Sequence, residues 1–195
     1  MSPSTPTPQS LRSTPFWLRS IALIRTIDHW SDRFGHLVML TFIPMILAGV
    51  YEVVARYVFS APTSWSTDVT FMANGSMFML GGAYALLKGA HVRTDIYWDT
   101  FTERTKGRID LITYLVFFLP TMALIFFISA ESAVHAFQIQ ERSNASLWQP
   151  LLWPFRAVIP MTALLLFIQG ISEGLKSYWA VLTNEPFTTH EKIDI

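Results

Sequence analysis

The sequence predicts an all-α integral membrane protein: four transmembrane helices, both termini on the inner side, preceded by an amphipathic helix in the membrane interface. Three observations predict it. The first is composition, with 51% hydrophobic and 14% charged residues in 195 positions, Phe alone occurring 15 times. An average soluble domain carries roughly 25% charged residues. The second is four uncharged runs, 34–51, 69–87, 111–130 and 157–172, three of them close to the roughly 20 residues that cross a hydrocarbon core. The third is the placement of tryptophan. All seven lie outside those runs, at their flanks, where an aromatic belt sits.

The chain divides accordingly. Residues 1–15 hold Pro3, Pro6, Pro8 and Pro15 among Ser, Thr and Gln, and read as a disordered cytoplasmic tail. Residues 16–33 place Trp17, Ile21, Leu23, Ile24, Ile27 and Trp30 on one half of a helical wheel and Arg19, Arg25, His29 and Arg33 on the other. Leu18 and Asp28 break that pattern. Such a helix suits a membrane interface, and also suits packing on a protein surface. Residues 34–180 form the transmembrane domain, with spans at about 34–57, 68–88, 109–131 and 155–175, and 181–195 form a second cytoplasmic tail. The fourth run is the shortest and borrows Pro154 and Phe155.

Lys and Arg set the orientation. Four precede the first span, five lie between the second and third, and two are in or near the C-terminal tail. The other side has Arg56, Arg142 and Arg156. The positive-inside rule puts both termini in the cytoplasm. The formal net charge is zero, which argues against a nucleic-acid partner. Without cysteine there is no thiol catalysis, disulfide or Cys-ligated metal.

Little in the spans carries chemistry. Pro44 and Pro120 release the carbonyls of Leu40 and Val116, as hinges or as fixed kinks. Glu52 and Arg56 share a helix face at the outer end of span one, as a structural pair or as a contact to a partner. Gly81, Ala85 and Gly89 recur every four residues, a spacing that admits another helix, and Asn74 and Ser76 can bond across helices. His36 and His91 flank the inner side, so a haem-bearing membrane anchor of a redox enzyme stands as the alternative. A stand-alone small transporter is a third reading, against which the chain shows no internal repeat or broken span. No catalytic, cofactor or metal residue is assigned.

The stretch Gly82-Ala83-Tyr84-Ala85-Leu86, followed by Gly89-Ala90-His91-Val92-Arg93-x-Asp95, resembles the small membrane subunit of tripartite ATP-independent periplasmic (TRAP) transporters, the DctQ-like family. Glu52, Arg56-Tyr57-Val58-Phe59, Pro62 and Trp65 resemble its motif after the first span. Asp110-Leu111 resembles the start of its third span, and Pro150, Trp153 and Pro154 the loop before its fourth. Asp68 and Thr94 depart from the pattern, standing where Glu and an apolar residue are expected. The resemblance implies a multi-pass subunit of a bacterial inner membrane that scaffolds a large permease of about twelve spans. That partner would hold the substrate and coupling-ion sites, and a periplasmic binding protein would deliver an organic anion. Under this resemblance Glu52, Arg56, Trp65, Asp68, Gly81, Gly82, Tyr84, Ala85, Gly89, His91, Arg93 and Asp95 are motif positions. Arg56, Trp65, Asp68, Arg142 and Trp148 are candidate partner contacts, and membrane lipid surrounds the spans.

Overall fold

A computed structural model describes residues 14–89 and 101–187. These are mostly helical, with loops at 58–65 and 139–152 and one isolated bridge between Arg142 and Leu151, and contain no strand. The helices are α1 (Pro15–Leu40), α2 (Phe42–Tyr57), α3 (Ser66–Leu87), α4 (Glu103–Ile112), a π-helical turn (Thr113–Phe118), α5 (Leu119–Gln138) and α6 (Trp153–Thr183). The expected tail at 1–13, the motif residues His91, Arg93 and Asp95, and the C-terminal segment 188–195 lie outside the described residues.

The boundaries move where proline acts on the backbone. The helix break in this region falls at Thr41, between α1 and α2, seven residues beyond the expected start of the first span at residue 34. Pro44 has no N–H for Leu40, so the α-helical ladder breaks there. Thr41 closes the end of α1 through its own N–H and hydroxyl, both donating to the Val38 carbonyl at 3.0 and 2.6 Å. Pro120 is absorbed differently. The six-residue π turn precedes it and widens the helix through Val116, so the rod runs on from Glu103 to Gln138. Pro160 lies inside α6 without ending it.

The four long rods form a slab rather than a closed bundle. α2 packs on α3, α3 on α6 and α6 on α5, which leaves α2 and α5 as the two edges. α6 is the element the others share, since α1 and α4 also pack on it. Its 31 residues extend about 46 Å, beyond the roughly 30 Å of a hydrocarbon core. The extra length at its C-terminal end carries α1 and α4. Trp17 of α1 packs edge-on against Trp179 at 4.8 Å and stacks on Tyr178. Arg104 of α4 donates from Nε to the Val181 carbonyl at 3.0 Å, and its backbone N–H donates to Asn184 Oδ1 at 2.9 Å. Asn184 adopts the left-handed conformation that ends α6, which Asn tolerates.

Close approach between helices depends on particular glycines. A Cβ on Gly107 of α4 would stand 2.8 Å from the Ser177 carbonyl and 3.0 Å from the Val181 nitrogen of α6. A Cβ on Gly35 of α1 would overlap the Tyr84 ring of α3.

Three rods are long and apolar enough to cross a membrane: 15–57 taken as one bent helix, 103–138 and 153–183. α3 has the length, 22 residues, but dilutes its hydropathy with Asn74, Ser76 and three glycines. None of the most apolar 18-residue stretch of 103–138 is buried.

Gly107→Val should destabilise the purified chain by about 1–3 kcal/mol, because the new methyl groups meet α6 backbone that cannot turn aside. Gly81→Ala, where a Cβ meets nothing, should stay within about 0.5 kcal/mol. Thermal unfolding in detergent distinguishes the two.

Candidate functional site

Two buried acids clasp the slab, one at each end. The first is Asp28. The buried face of α1 runs through Trp17, Ser20, Ile24, Asp28, Ser31, Gly35 and Val38, a helical stripe that faces α6 and then α3. Asp28 is 1% exposed. Its Oδ1 accepts hydrogen bonds from Ser172 Oγ at 2.9 Å and Gln169 Nε2 at 3.1 Å. Its Oδ2 faces Lys176 Nζ at 2.9 Å. Lys176 also pairs with Glu173 at 2.7 Å, and Ser31 donates to Gln169 Oε1 at 2.7 Å. Gln169, Ser172 and Lys176 lie three and four apart on α6, so they meet Asp28 as one set.

The half of α1 expected to face lipid is therefore split. Trp17, Ile24 and Ile27 turn to protein, whereas Leu23 and Trp30 remain exposed. Asp28, the residue out of step with the amphipathic pattern, is the one that fixes the helix. Gln169 and Ser172 carried no such signal. They are uncharged residues in an apolar run, and only the fold brings them to Asp28.

The clasp at the other end is Asp68, 0% exposed in the first turn of α3. Its two carboxylate oxygens accept from Ser143 Oγ, at 2.6 Å, and from Ser146 Oγ. The helix N-terminus favours an acid there. The loop after α5 is thereby tied onto α3, and it is closed on itself by Ser143 N–H to the Pro150 carbonyl and Leu152 N–H to the Glu141 carbonyl. Its tip, Leu147 and Trp148, is left outward, Leu147 at 94% exposure. Arg142 donates to the Gln149 carbonyl at 3.2 Å. Asp68 faces serines inside the fold and offers no surface of its own.

Glu52 occupies the neighbouring corner. Arg56 donates to one of its oxygens at 2.6 Å, and Thr63 donates to the other from its N–H, at 3.0 Å, and its hydroxyl. Ser66 Oγ bonds the Ala48 carbonyl, and Trp65 stacks on Tyr51 at 5.7 Å. These contacts tie the α2–α3 loop to α2. Half of the Arg56 side chain remains open to the outside.

The remaining motif residues sit on α3 and separate by role. Tyr84 covers Gly35. Gly82 meets Leu166 of α6 at ordinary contact distance. Gly89 adopts φ +69, the left-handed cap that ends α3. A Cβ on either Gly81 or Gly89 would meet nothing within 4 Å. Gly81 and Gly89 thus make no close seam among the described residues. The seams are at Gly35, Gly75, Gly107 and Gly170.

Of the histidines, His29, His36 and His135 are exposed. No group of three His, Asp or Glu among the described residues is placed to hold a metal ion. Nothing observed supports the haem anchor.

What remains is surface. α2 buries only Ala48 and Ala55, and α5 only Ala136. Leu47, Val50, Val53 and Tyr57 on one edge, and Leu124, Phe127 and Ile128 on the other, are exposed, Phe127 at 70%. A monomer in water does not expose apolar surface on this scale.

Long apolar rods held by polar clasps at both ends, with bare apolar edges, define a helical membrane subunit. Residues 45–177 match the family described as "Tripartite ATP-independent periplasmic transporters, DctQ component", and the chain belongs to that family. No curated protein and no solved structure matches it.

Asp28→Ala should cost about 3–5 kcal/mol, since it leaves Lys176 and the α6 amides facing an empty site. Adding Lys176→Met should recover part of that loss. Melting curves of the two variants, read as a mutant cycle, check the coupling.

Proposed function

We propose that the chain is the small subunit of a TRAP transporter and scaffolds the large permease subunit. The permease carries out ion-coupled uptake, with sodium as the coupling ion, of an organic anion handed over by a periplasmic binding protein. The observation that carries this reading is the family match over residues 45–177. The bare edges of the slab agree with it, because a large apolar partner would cover what lipid alone need not.

In this reading all four rods cross a bacterial inner membrane with both termini in the cytoplasm. α3 is the fourth span, tolerated despite its polar and small residues because α1, α2 and α6 flank it. The outward residues of α1, Leu23 and Trp30 beside Arg25 and Arg33, lie at the inner headgroups. At the outer end Arg56, Arg142 and Trp148 form the surface offered to the permease or the binding protein, with Asp68 and Glu52 positioning the loops that carry it. The chain itself moves no substrate.

Purification of the tagged full chain from its native membrane tests this. A multi-span permease should co-purify, and deletion of the chain should abolish uptake. A chain that purifies alone from membranes whose uptake survives its deletion is not such a scaffold. Asp68→Ala should leave the permease bound, while hydrogen exchange in 139–152 rises by about tenfold or more, as the loop loses two charge-assisted hydrogen bonds.

A further inference from the structure

The bend between α1 and α2 opens a groove that none of the described residues fills. It has a volume of about 310 Å³ and is lined by Gly35, Val38, Met39, Phe42, Met77, Gly81 and Tyr84. That volume lies within the range of ligand clefts, about 300–1,000 Å³. The lining is almost wholly apolar, and its two methionines can adapt to an irregular chain. Gly81 leaves it open, since a Cβ there would meet no atom within 4 Å.

The groove ends at Tyr84, and there the chemistry changes. Lys88 Nζ lies 5.2 Å from the centre of the Tyr84 ring, and the His36 ring lies 5.7 Å from it. Asp32 holds Lys88 at 2.9 Å, yet 28% of the Lys88 side chain remains exposed. Arg33 is exposed one turn before His36 on α1. An apolar slot with a basic mouth, at the end of a membrane rod, has the complementarity of an amphiphile with an anionic head. A helix of another protein would match the slot but would have no use for the basic mouth.

We propose that this groove holds one anionic phospholipid, with an acyl chain against Gly81, Met77 and Met39 and the phosphate at Lys88 and His36. The site requires only that the chain be embedded in a membrane, and it does not depend on the large subunit. Asp32 then serves as a regulator of the mouth, holding Lys88 in place while reducing the charge the phosphate meets.

The test is native mass spectrometry of the delipidated full chain, incubated with phosphatidylglycerol or phosphatidylcholine. The chain should retain one phosphatidylglycerol and bind phosphatidylcholine more weakly. Lys88→Gln should weaken phosphatidylglycerol retention about fivefold, the effect of removing one basic residue near a lipid surface. Asp32→Asn should strengthen it. Both variants break the same ion pair, so a purely structural role would move them in the same direction. Gly81→Trp should expel both lipids without changing the melting temperature of the chain. Equal retention of the two lipids, or parallel effects of Lys88→Gln and Asp32→Asn, would overturn the proposal. So would a Gly81→Cys chain that cross-links to the permease at the groove, which would make the groove a protein seam. Co-purification of the permease reports separately on the scaffold reading, whichever way the lipid result falls.

Discussion

Asp28 is a carboxylate withdrawn from water, and the end of the fold where α1 meets α6 depends on how it is accommodated. Taking such a group out of solvent costs several kcal/mol unless partners answer it. Here Ser172, Gln169 and Lys176 all come from α6. An amphipathic helix held by apolar contacts alone could slide or rotate on its neighbour. An acid that must meet one lysine and two polar side chains cannot. The clasp thereby fixes the angle at which α1 reaches the bend at Thr41, and so the line along which α2 rises beside α3.

The other end repeats the logic with smaller means. Asp68 holds its loop by two serine hydroxyls and Glu52 by the N–H and hydroxyl of Thr63, and each stands at or near a helix end. Between the clasps there is almost no closed core. The slab is stiff because its helices approach closely at glycines and because its ends are tied, rather than because it buries much of its own apolar surface. A scaffold needs this combination: rigid in shape, with its edges uncovered. The same plan leaves a groove at the bend, lined by residues of α1, α2 and α3.

Much of the helical character was legible because a membrane span is written in composition and length, and the apolar runs at 34–51, 111–130 and 157–172 all fall within observed rods. Pro44 marked a true break, but its consequence, one helix ending at Leu40, could not be separated from a mild kink without knowing what α1 packs on. The rods 103–138 and 153–183 run longer than the expected spans at 109–131 and 155–175, because charged residues beyond those spans, Arg104 and Lys176, bond to neighbouring helices instead of opening a loop. The small-residue row on α3 misled for a related reason. Spacing shows which residues share a face, but not whether this chain or another body lies against it. Gly35 and Gly107, which do make the close approaches, sit in polar or mixed stretches without any small-residue repeat.

The central claim is that the uncovered edges of the slab are covered by a protein partner. The chain contains no cysteine, so single cysteines can be placed along α2 at Leu47, Val50 and Val54 and along α5 at Leu124, Phe127 and Ile128. Each would carry a fluorophore, and quenching by brominated lipid would be measured for the chain alone and for the chain with its permease. The account predicts that one whole edge loses its quenching when the permease is present. Equal quenching at all six positions with and without the permease would contradict it.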